Sequence, residues 1–117
     1  MFTNSFINTF RKLDQITELA KPKDLLVLTP SRDIAEEVKQ NIIDTANTYG
    51  HYQTGKLERS IGIRNMGDGD FAVTGVDYAK YVNGRDRETF GEGFIDEAVA
   101  ITEQELDLGI NDIDVLI

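Results

Sequence analysis

The stretch Ser60-Ile61-Gly62-Ile63-Arg64-Asn65-Met66-Gly67-Asp68-Gly69-Asp70-Phe71-Ala72-Val73-Thr74-Gly75-Val76 contains two alternating segments separated by a polar, glycine-rich centre. Its two ends, residues 60–64 and 71–76, alternate in the two-residue period that is typical of half-buried strands. The middle, residues 65–70, contains only Asn, Met, Gly and Asp, and three of these four residue types favour turns. The stretch therefore predicts an antiparallel hairpin.

Outside this hairpin the hydrophobic period changes to that of a helix. Residues 4–20 and 30–48 each carry an apolar stripe at spacings of three and four, which predicts two N-terminal helices. Residues 94–108 predict a C-terminal helix that begins at Phe94 and ends before Gly109. A small antiparallel sheet packed by these three helices is an α+β fold.

The remaining segments are less regular. We assign residues 58–82 to the β region, with 78–82 as a short strand or a helical turn, and 83–93 to an exposed loop because it is rich in glycine and charge. The tail, 109–117, alternates acidic and apolar residues. The apolar run 25–28 is too short to assign, and it suits either an extended segment or a docking patch.

Length and composition restrict the class of protein. We expect the 117 residues to form one domain, 1–117. The chain has no cysteine and one histidine, which excludes disulfides, thiolate zinc sites, cysteine nucleophiles and His-rich metal sites. No apolar run approaches the ~20 residues that span a membrane, and the start of the chain lacks the pattern of a signal peptide. We therefore expect no membrane association and a cytoplasmic location during synthesis.

The charge is concentrated at the C-terminal end. Twelve basic and 21 acidic residues give a net charge of −9, and residues 92–117 contain eight acidic residues and no basic one. So acidic a chain is poorly suited to wrapping DNA, because phosphates are neutralised by clustered Lys and Arg. The acidic segment indicates either a function of its own or a solvated helix face.

No catalytic motif is present. The single histidine, His51, has no cysteine partner and no nucleophile-elbow sequence nearby, so we expect it to be structural or exposed. The glycines do not form a phosphate-binding loop. Arg85 and Arg87, with Lys80, form a small basic patch that suits an acidic partner, nucleic acid or solvent. We therefore expect no enzymatic activity, no metal and no cofactor.

Three segments, taken in order, resemble a known family. They are Thr54-Gly55-Lys56-Leu57-Glu58-Arg59-Ser60-Ile61, then Val73-Thr74-Gly75-Val76-Asp77-Tyr78-Ala79-Lys80-Tyr81-Val82, then Gly93-Phe94-Ile95-Asp96-Glu97-Ala98-Val99. This order is similar to that of the head–tail joining (neck, or tail-completion) proteins of tailed bacteriophages, the tail-component family typed by phage HK-ninety-seven. The chain departs from the pattern at Asn83-Gly84-Arg85, where the family has Glu, an aromatic residue and Gly-Thr. It also departs around the final helix, where the family's prolines are missing, with Gly93 before Phe94 and Glu97 before Ala98.

The resemblance implies a structural virion protein that forms a homo-oligomeric ring in the phage neck. The ring would contact the connector or stopper and the tail proteins, and DNA would pass through it without specific binding. The protein would be made in the host cytoplasm. The motif residues would form the scaffold: Thr54, Gly55, Leu57, Ser60, Tyr78, Ala79, Tyr81 and Phe94.

We expect the function of such a protein to lie in its subunit surfaces. The expected interface residues are Arg85, Arg87, Phe90, Ile113, Val115, Leu116 and Ile117. The expected channel-facing acids are Glu103, Glu105 and Asp107. The alternative function is that of a small acidic cytoplasmic regulator that binds a basic protein.

Overall fold

The computed structural model describes residues 24–51, 55–109 and 112–117. This part of the chain forms an antiparallel four-stranded sheet, in the order β2-β3-β1-β4, with four helices. The elements are β1 (Leu25–Thr29), α1 (Arg32–Thr48), α2 (Lys56–Ser60), β2 (Gly62–Gly67), β3 (Asp70–Thr74), α3 (Asp77–Phe90), α4 (Phe94–Glu105) and β4 (Asp114–Val115). The predicted α+β class is confirmed, whereas the predicted helix 4–20 lies outside the described residues.

The predicted hairpin is present as β2 and β3. Ile63 pairs with Val73, and the turn contains Asp68 and Gly69, whose φ angles of 54° and 87° are both positive. An Asp-Gly pair with two positive φ angles suits the type I′ turn that matches the twist of the flanking strands. The first strand begins at Gly62, two residues later than predicted, because Ser60 ends helix α2.

The unassigned run 25–28 lies in β1, one of the two interior strands of the sheet. Strand β1 pairs with β3 on one side and with the short β4 on the other, and all five of its residues are buried. A strand covered on both faces does not need to alternate, so its sequence is continuously apolar. The extended interpretation of this run is therefore correct.

One face of the sheet is covered by α1 and α4. Val27 and Val73 of the sheet, Val38 and Ile42 of α1, and Phe94 of α4 are all fully buried in one cluster. The expectation that Phe94 anchors the C-terminal helix in the core is confirmed. Helix α1 occupies Arg32–Thr48, close to the predicted 30–48.

Two polar contacts fix α1 against α4. Asn41 Nδ2 donates to Thr102 Oγ1 at 2.7 Å, and Thr45 Oγ1 donates to the carbonyl of Phe94 at 2.9 Å. Both contacts are buried, where an unpaired polar group would be costly. The two helices therefore run in opposite directions, with the end of α1 beside the start of α4.

The prediction of an exposed loop at 83–93 is wrong, because α3 continues through Phe90 and ends at Gly91, whose φ is 84°. The predicted β region, 58–82, is wrong at both ends, since α2 and α3 occupy them. The buried face of helix α3 contains polar residues. The sequence of this helix therefore shows no continuous apolar stripe, which is why the segment was predicted to be a loop.

The part of the tail from residue 112 to residue 117 packs on the protein's own core. Strand β4 pairs Val115 with Val27, Leu116 N donates to the carbonyl of Leu26 at 2.9 Å, and Ile113 is buried. Helix α4 ends at Glu105 and not at 108, because Asp107 adopts a positive φ of 52°. This part of the tail thus completes the sheet beside β1.

Candidate interaction site

Helix α3 presents aromatic side chains to solvent. Tyr78 is 49% exposed, Tyr81 is 67% exposed and Phe90 is 65% exposed. Tyr78, Tyr81 and Arg85 follow one another at spacings of three and four, so they share one helix face. The Arg85 guanidinium lies 5.9 Å from the centroid of the Tyr81 ring. We call Tyr78, Tyr81 and Arg85 the aromatic surface. Phe90, nine residues after Tyr81, lies on another side of the helix.

The expectation that Tyr78 and Tyr81 belong to the scaffold core is wrong. Ala79, which lies between them, is fully buried and turns the two rings outward. The exposure expected for Phe90 is confirmed. Aromatic residues and arginine are enriched at protein interfaces, so this surface has the composition of a docking site.

A cleft of about 340 Å³ lies between α3 and the end of α1. Its walls include aromatic rings from both elements, and the Phe90 and Tyr49 rings meet edge to face at 5.6 Å. The lining residues are Tyr49, Gly50, His51, Tyr78, Val82, Arg85, Asp86, Thr89 and Phe90. The cleft is therefore continuous with the aromatic surface.

A histidine–aspartate contact lies within this cleft. His51 Nε2 lies 2.9 Å and 3.1 Å from the two carboxylate oxygens of Asp86, and the His51 ring packs edge to face on Phe94 at 5.3 Å. An ionised carboxylate only accepts hydrogen bonds, so Nε2 is the donor. The contact satisfies a buried carboxylate, which is the structural role expected for His51.

Tyr49 is the other polar group of the cleft wall. Burial, a hydrogen bond to Glu97 and the negative charges of Glu97, Glu92 and Asp86 raise the pKa of the Tyr49 hydroxyl to about 12. The hydroxyl is therefore protonated at neutral pH and donates to Glu97. The Tyr49 side chain of the cleft wall is therefore uncharged at neutral pH.

The two arginines expected at an interface have different environments. Arg87 makes two hydrogen bonds to Asp96, at 2.6 Å and 2.7 Å, and one to the backbone oxygen of Ile117 at 2.8 Å. Burial opposes ionisation of Asp96, but the bonds and charge of Arg87, with smaller contributions from Gly93 and Asn83, hold its pKa below the ordinary value. Arg87 thus joins α3, α4 and the tail, whereas Arg85 lies on the open surface.

Asn83 caps the start of α4 from the preceding helix. Its side chain is fully buried, its Oδ1 accepts from Ile95 N at 2.7 Å, and its Nδ2 donates to Asp96 Oδ2 at 3.4 Å. A Cβ added at Gly93 would lie 2.1 Å from Asn83 Oδ1. Asn83 and Gly93, two of the positions at which the chain departs from the neck-family pattern, therefore contact each other. We call this contact of Asn83, Gly93 and Ile95 the α3–α4 elbow.

The expected interface residues of the tail are covered by the protein itself. Ile113 belongs to the main core, and Val115 and Ile117 pack against it. Leu116 packs on a second cluster formed by Leu25, Leu28 and Ala72, on the opposite face of the sheet. The expectation that Ile113 is an interface residue is wrong for this reason, and the other three are half-buried.

The three expected channel-facing acids do not share one face. Glu105 Oε1 accepts from Asn41 Nδ2 at 2.9 Å, and Asp107 is exposed beyond the helix end. Glu103 is half-buried, and burial, followed by the charge of Asp112, raises the pKa of its carboxyl. One subunit therefore does not present them as a single acidic stripe.

The remaining motif residues form the short helix α2. Gly55 precedes it with a φ of 66°, Leu57 is buried, and Ser60 Oγ donates to the carbonyl of Leu57 at 2.6 Å. The expected contribution of Thr54 lies outside the described residues. Tyr49, Val82 and Thr89 of the cleft were not predicted from the sequence. The one signal was Tyr49, which follows Ile42 and Ala46 at spacings of four and three.

Within the described ranges, no three His, Cys, Asp or Glu side chains are placed to hold a metal ion. None of the helices among the described residues has the length and hydrophobicity of a membrane span. Comparison with family models, with curated proteins and with solved structures gives no match.

Proposed function

We propose that the protein is a structural virion protein of a tailed phage, which forms a ring in the neck and joins the head connector to the tail. The observation that carries this proposal is the aromatic surface of α3. Large aromatic side chains that lie open to water, beside an arginine, are characteristic of surfaces that another protein covers. The order of the three family-like segments supports the choice of a phage neck protein.

The way in which this surface is held supports an assembly role. The elbow and the Arg87–Asp96 contact fix α3 against α4. A surface on a rigid element loses little conformational entropy when it binds. A subunit that repeats around a ring needs such fixed contact angles.

The net charge agrees with passage of DNA without binding. The chain carries −9, and duplex DNA carries about one negative charge per 1.7 Å of its axis. Like charges do not retain DNA, so its sequence would not affect its movement through the ring. The partners in this proposal are other copies of the chain, the connector or stopper, and the tail proteins. The protein is synthesised in the host cytoplasm and ends in the virion.

The test is assembly of the purified chain, alone and with the connector and tail proteins of the same phage, followed by light scattering and electron microscopy. We expect closed rings, and we expect a Tyr78→Ala/Tyr81→Ala variant to remain folded but to assemble poorly. The control is Glu36→Ala/Glu37→Ala, which truncates two exposed side chains of α1. A chain that stays monomeric in every mixture, yet binds a basic host protein one to one, would favour the regulator instead.

A further inference from the structure

A second groove shares the Tyr49–Phe90 ring pair with the cleft. It has a volume of about 320 Å³ and is lined by Thr48, Tyr49 and Phe90. The Phe90 side chain is 65% exposed, and the two rings meet edge to face, with their planes at 86°. In an edge-to-face pair, one ring keeps both of its faces free of the other. We call this site, which offers an open aromatic face, the Tyr49–Phe90 groove.

Carboxylates lie close to the Tyr49–Phe90 groove. Glu97 accepts a hydrogen bond from the Tyr49 hydroxyl, and Glu92 is exposed two residues after Phe90. After burial, this hydrogen bond and the charges of Glu97, Glu92 and Asp86 raise the pKa of the Tyr49 hydroxyl. The ion pairs among the described residues include neither Glu92 nor Glu97. The electrostatic potential beside Tyr49 is therefore negative.

Arg85 does not neutralise this potential. It lines the cleft but not the Tyr49–Phe90 groove, and its guanidinium lies 5.9 Å from the centroid of the Tyr81 ring. Phe90 follows Arg85 by five residues, which is a rotation of about 140° around the helix. The open ring and the negative charge therefore occur together on a side of α3 from which Arg85 points away.

This combination decides between the kinds of side chain that would occupy the groove. An acidic side chain would be repelled by Glu92 and Glu97. An aliphatic side chain would take Glu92 out of water without supplying a counter-charge, which is costly. A lysine or arginine side chain satisfies both features, because its apolar stem packs on a ring and its charged end is attracted to a ring face and to a carboxylate.

The charge of the whole chain indicates where such a side chain comes from. Arg64 and Arg87 are ion-paired within the subunit, with Asp24 and Asp96. The net charge of −9 makes two copies repel each other, whereas it attracts a basic protein. Charge complementarity therefore favours a different protein as the donor over a second copy of this chain.

We propose that the Tyr49–Phe90 groove receives a lysine or arginine side chain of another protein, with its cation over the exposed ring and beside Glu92. This inference rests on the proposed function for the identity of that protein, which is a connector, stopper or tail protein with a basic surface. It gives the end of α3 a contact of its own, separate from the aromatic surface.

Small blocked peptides test the groove in the folded, full-length chain. The probes are acetylated and amidated Gly-Lys-Gly and Gly-Arg-Gly, with Gly-norleucine-Gly as the uncharged match and Gly-Glu-Gly as the acidic one. NMR of the aromatic ring protons follows each titration. We expect saturable shifts of the Tyr49 and Phe90 signals with the two basic peptides and none with the others. Equal shifts with norleucine, or none with lysine and arginine, would overturn the inference.

Two variants separate the ring from the charge. Phe90→Leu removes the aromatic face, and Glu92→Gln removes the charge at constant size; both side chains are exposed, so the fold should be unaffected. We expect each change to weaken binding of the lysine peptide by about two- to fivefold. Glu88→Gln is the matched control, since Glu88 is an exposed carboxylate of α3 outside the groove lining. Unchanged affinity in Glu92→Gln and Phe90→Leu would contradict the inference.

Charge reversal identifies the donor of the basic side chain. Glu92→Lys should impair joining to the connector and tail proteins at least tenfold more than Glu88→Lys, and neither change should affect rings of the chain alone. Loss of those rings in Glu92→Lys would make a second copy the donor, which overturns the assignment to another protein. Normal joining by Glu92→Lys would overturn the inference and leave the neck function standing. Absence of rings in every mixture would overturn the proposed function and the named donor, while the peptide titration still decides whether the groove binds a cation.

Discussion

Gly93→Ala should disrupt the α3–α4 elbow, because the added methyl group has no space beside the Asn83 side chain. The new Cβ would lie 2.1 Å from Asn83 Oδ1, far inside van der Waals contact. The backbone of Gly93, with φ of −81° and ψ of 156°, suits alanine, so conformational strain is not the cause. Asn83 is fully buried and bonded to Ile95 N, so it moves only by leaving that N–H unpaired.

The size of the effect follows from these contacts. An unpaired buried N–H costs about 1–3 kcal/mol, and forcing a methyl group into a packed site costs about 1–3 kcal/mol. Since relaxation relieves one cost at the expense of the other, we expect Gly93→Ala to lower the free energy of unfolding by about 2–3 kcal/mol. Asn83→Ala alone should cost about 2 kcal/mol, by loss of the same hydrogen bond.

The double variant distinguishes this mechanism from general destabilisation. In the Asn83→Ala background the obstructing oxygen is gone, so adding Gly93→Ala should cost less than about 0.5 kcal/mol. The coupling energy between the two changes is then about 2 kcal/mol, in the range found for residues in direct contact. Urea unfolding of the natural chain, both single variants and the double variant, followed by circular dichroism, measures it.

Gly84→Ala is the matched control for the elbow. Gly84 lies in α3, its φ is not positive, and a Cβ there meets nothing within 4 Å. Alanine should therefore stabilise the protein by about 0.5–1 kcal/mol, as it does at unstrained helical positions. If Gly93→Ala costs the same with and without Asn83, the proposed steric conflict is absent and the reasoning fails.

The remaining predictions concern the core, acid stability and the cleft. Phe94→Ala should lower the free energy of unfolding in urea by about 3–5 kcal/mol, because the ring is fully buried. An unchanged urea midpoint would show that the ring is not part of the core. Since the pKa of Asp96 is lowered, its stabilising contribution is complete above about pH 3.9, its unfolded pKa, and is lost as the pH falls through the folded value. Arg87→Met should therefore flatten the decline in unfolding free energy below about pH 4, and an unaltered pH slope would contradict this. In an ultraviolet titration, one tyrosine should ionise at about pH 12, and Tyr49→Phe should remove that step alone.

The elements that were predictable from the sequence have one strong periodic face. The hairpin follows from alternation together with an Asp-Gly turn, and α1 and α4 each present an apolar stripe to the same face of the sheet. Strand β1 was not assignable, because both of its faces are buried and its sequence has no period. Its role depends on β3 and β4, which lie far away in the chain.

Helix α3 was missed for a different physical reason. Its buried face consists of Ala79, Val82, Asn83 and Asp86, of which two are polar. Those two are tolerated inside only because His51 bonds to Asp86 and Ile95 N bonds to Asn83. A hydrophobicity pattern assigns polar residues to the exposed surface and aromatic residues to the core. In this segment the pattern therefore predicts a loop and places the two tyrosines inside.

The same polar contacts connect the stability of the fold to the candidate interface. Asp86 fixes His51 in the cleft, and Asn83 fixes the start of α4 against α3. The elbow therefore determines the angle at which α3 presents its aromatic surface relative to α4. An apolar residue at position 83 would fill the space but would leave Ile95 N unpaired and the angle less well defined. The buried polar residues that hid this helix from sequence analysis are therefore the ones that hold its aromatic surface in place.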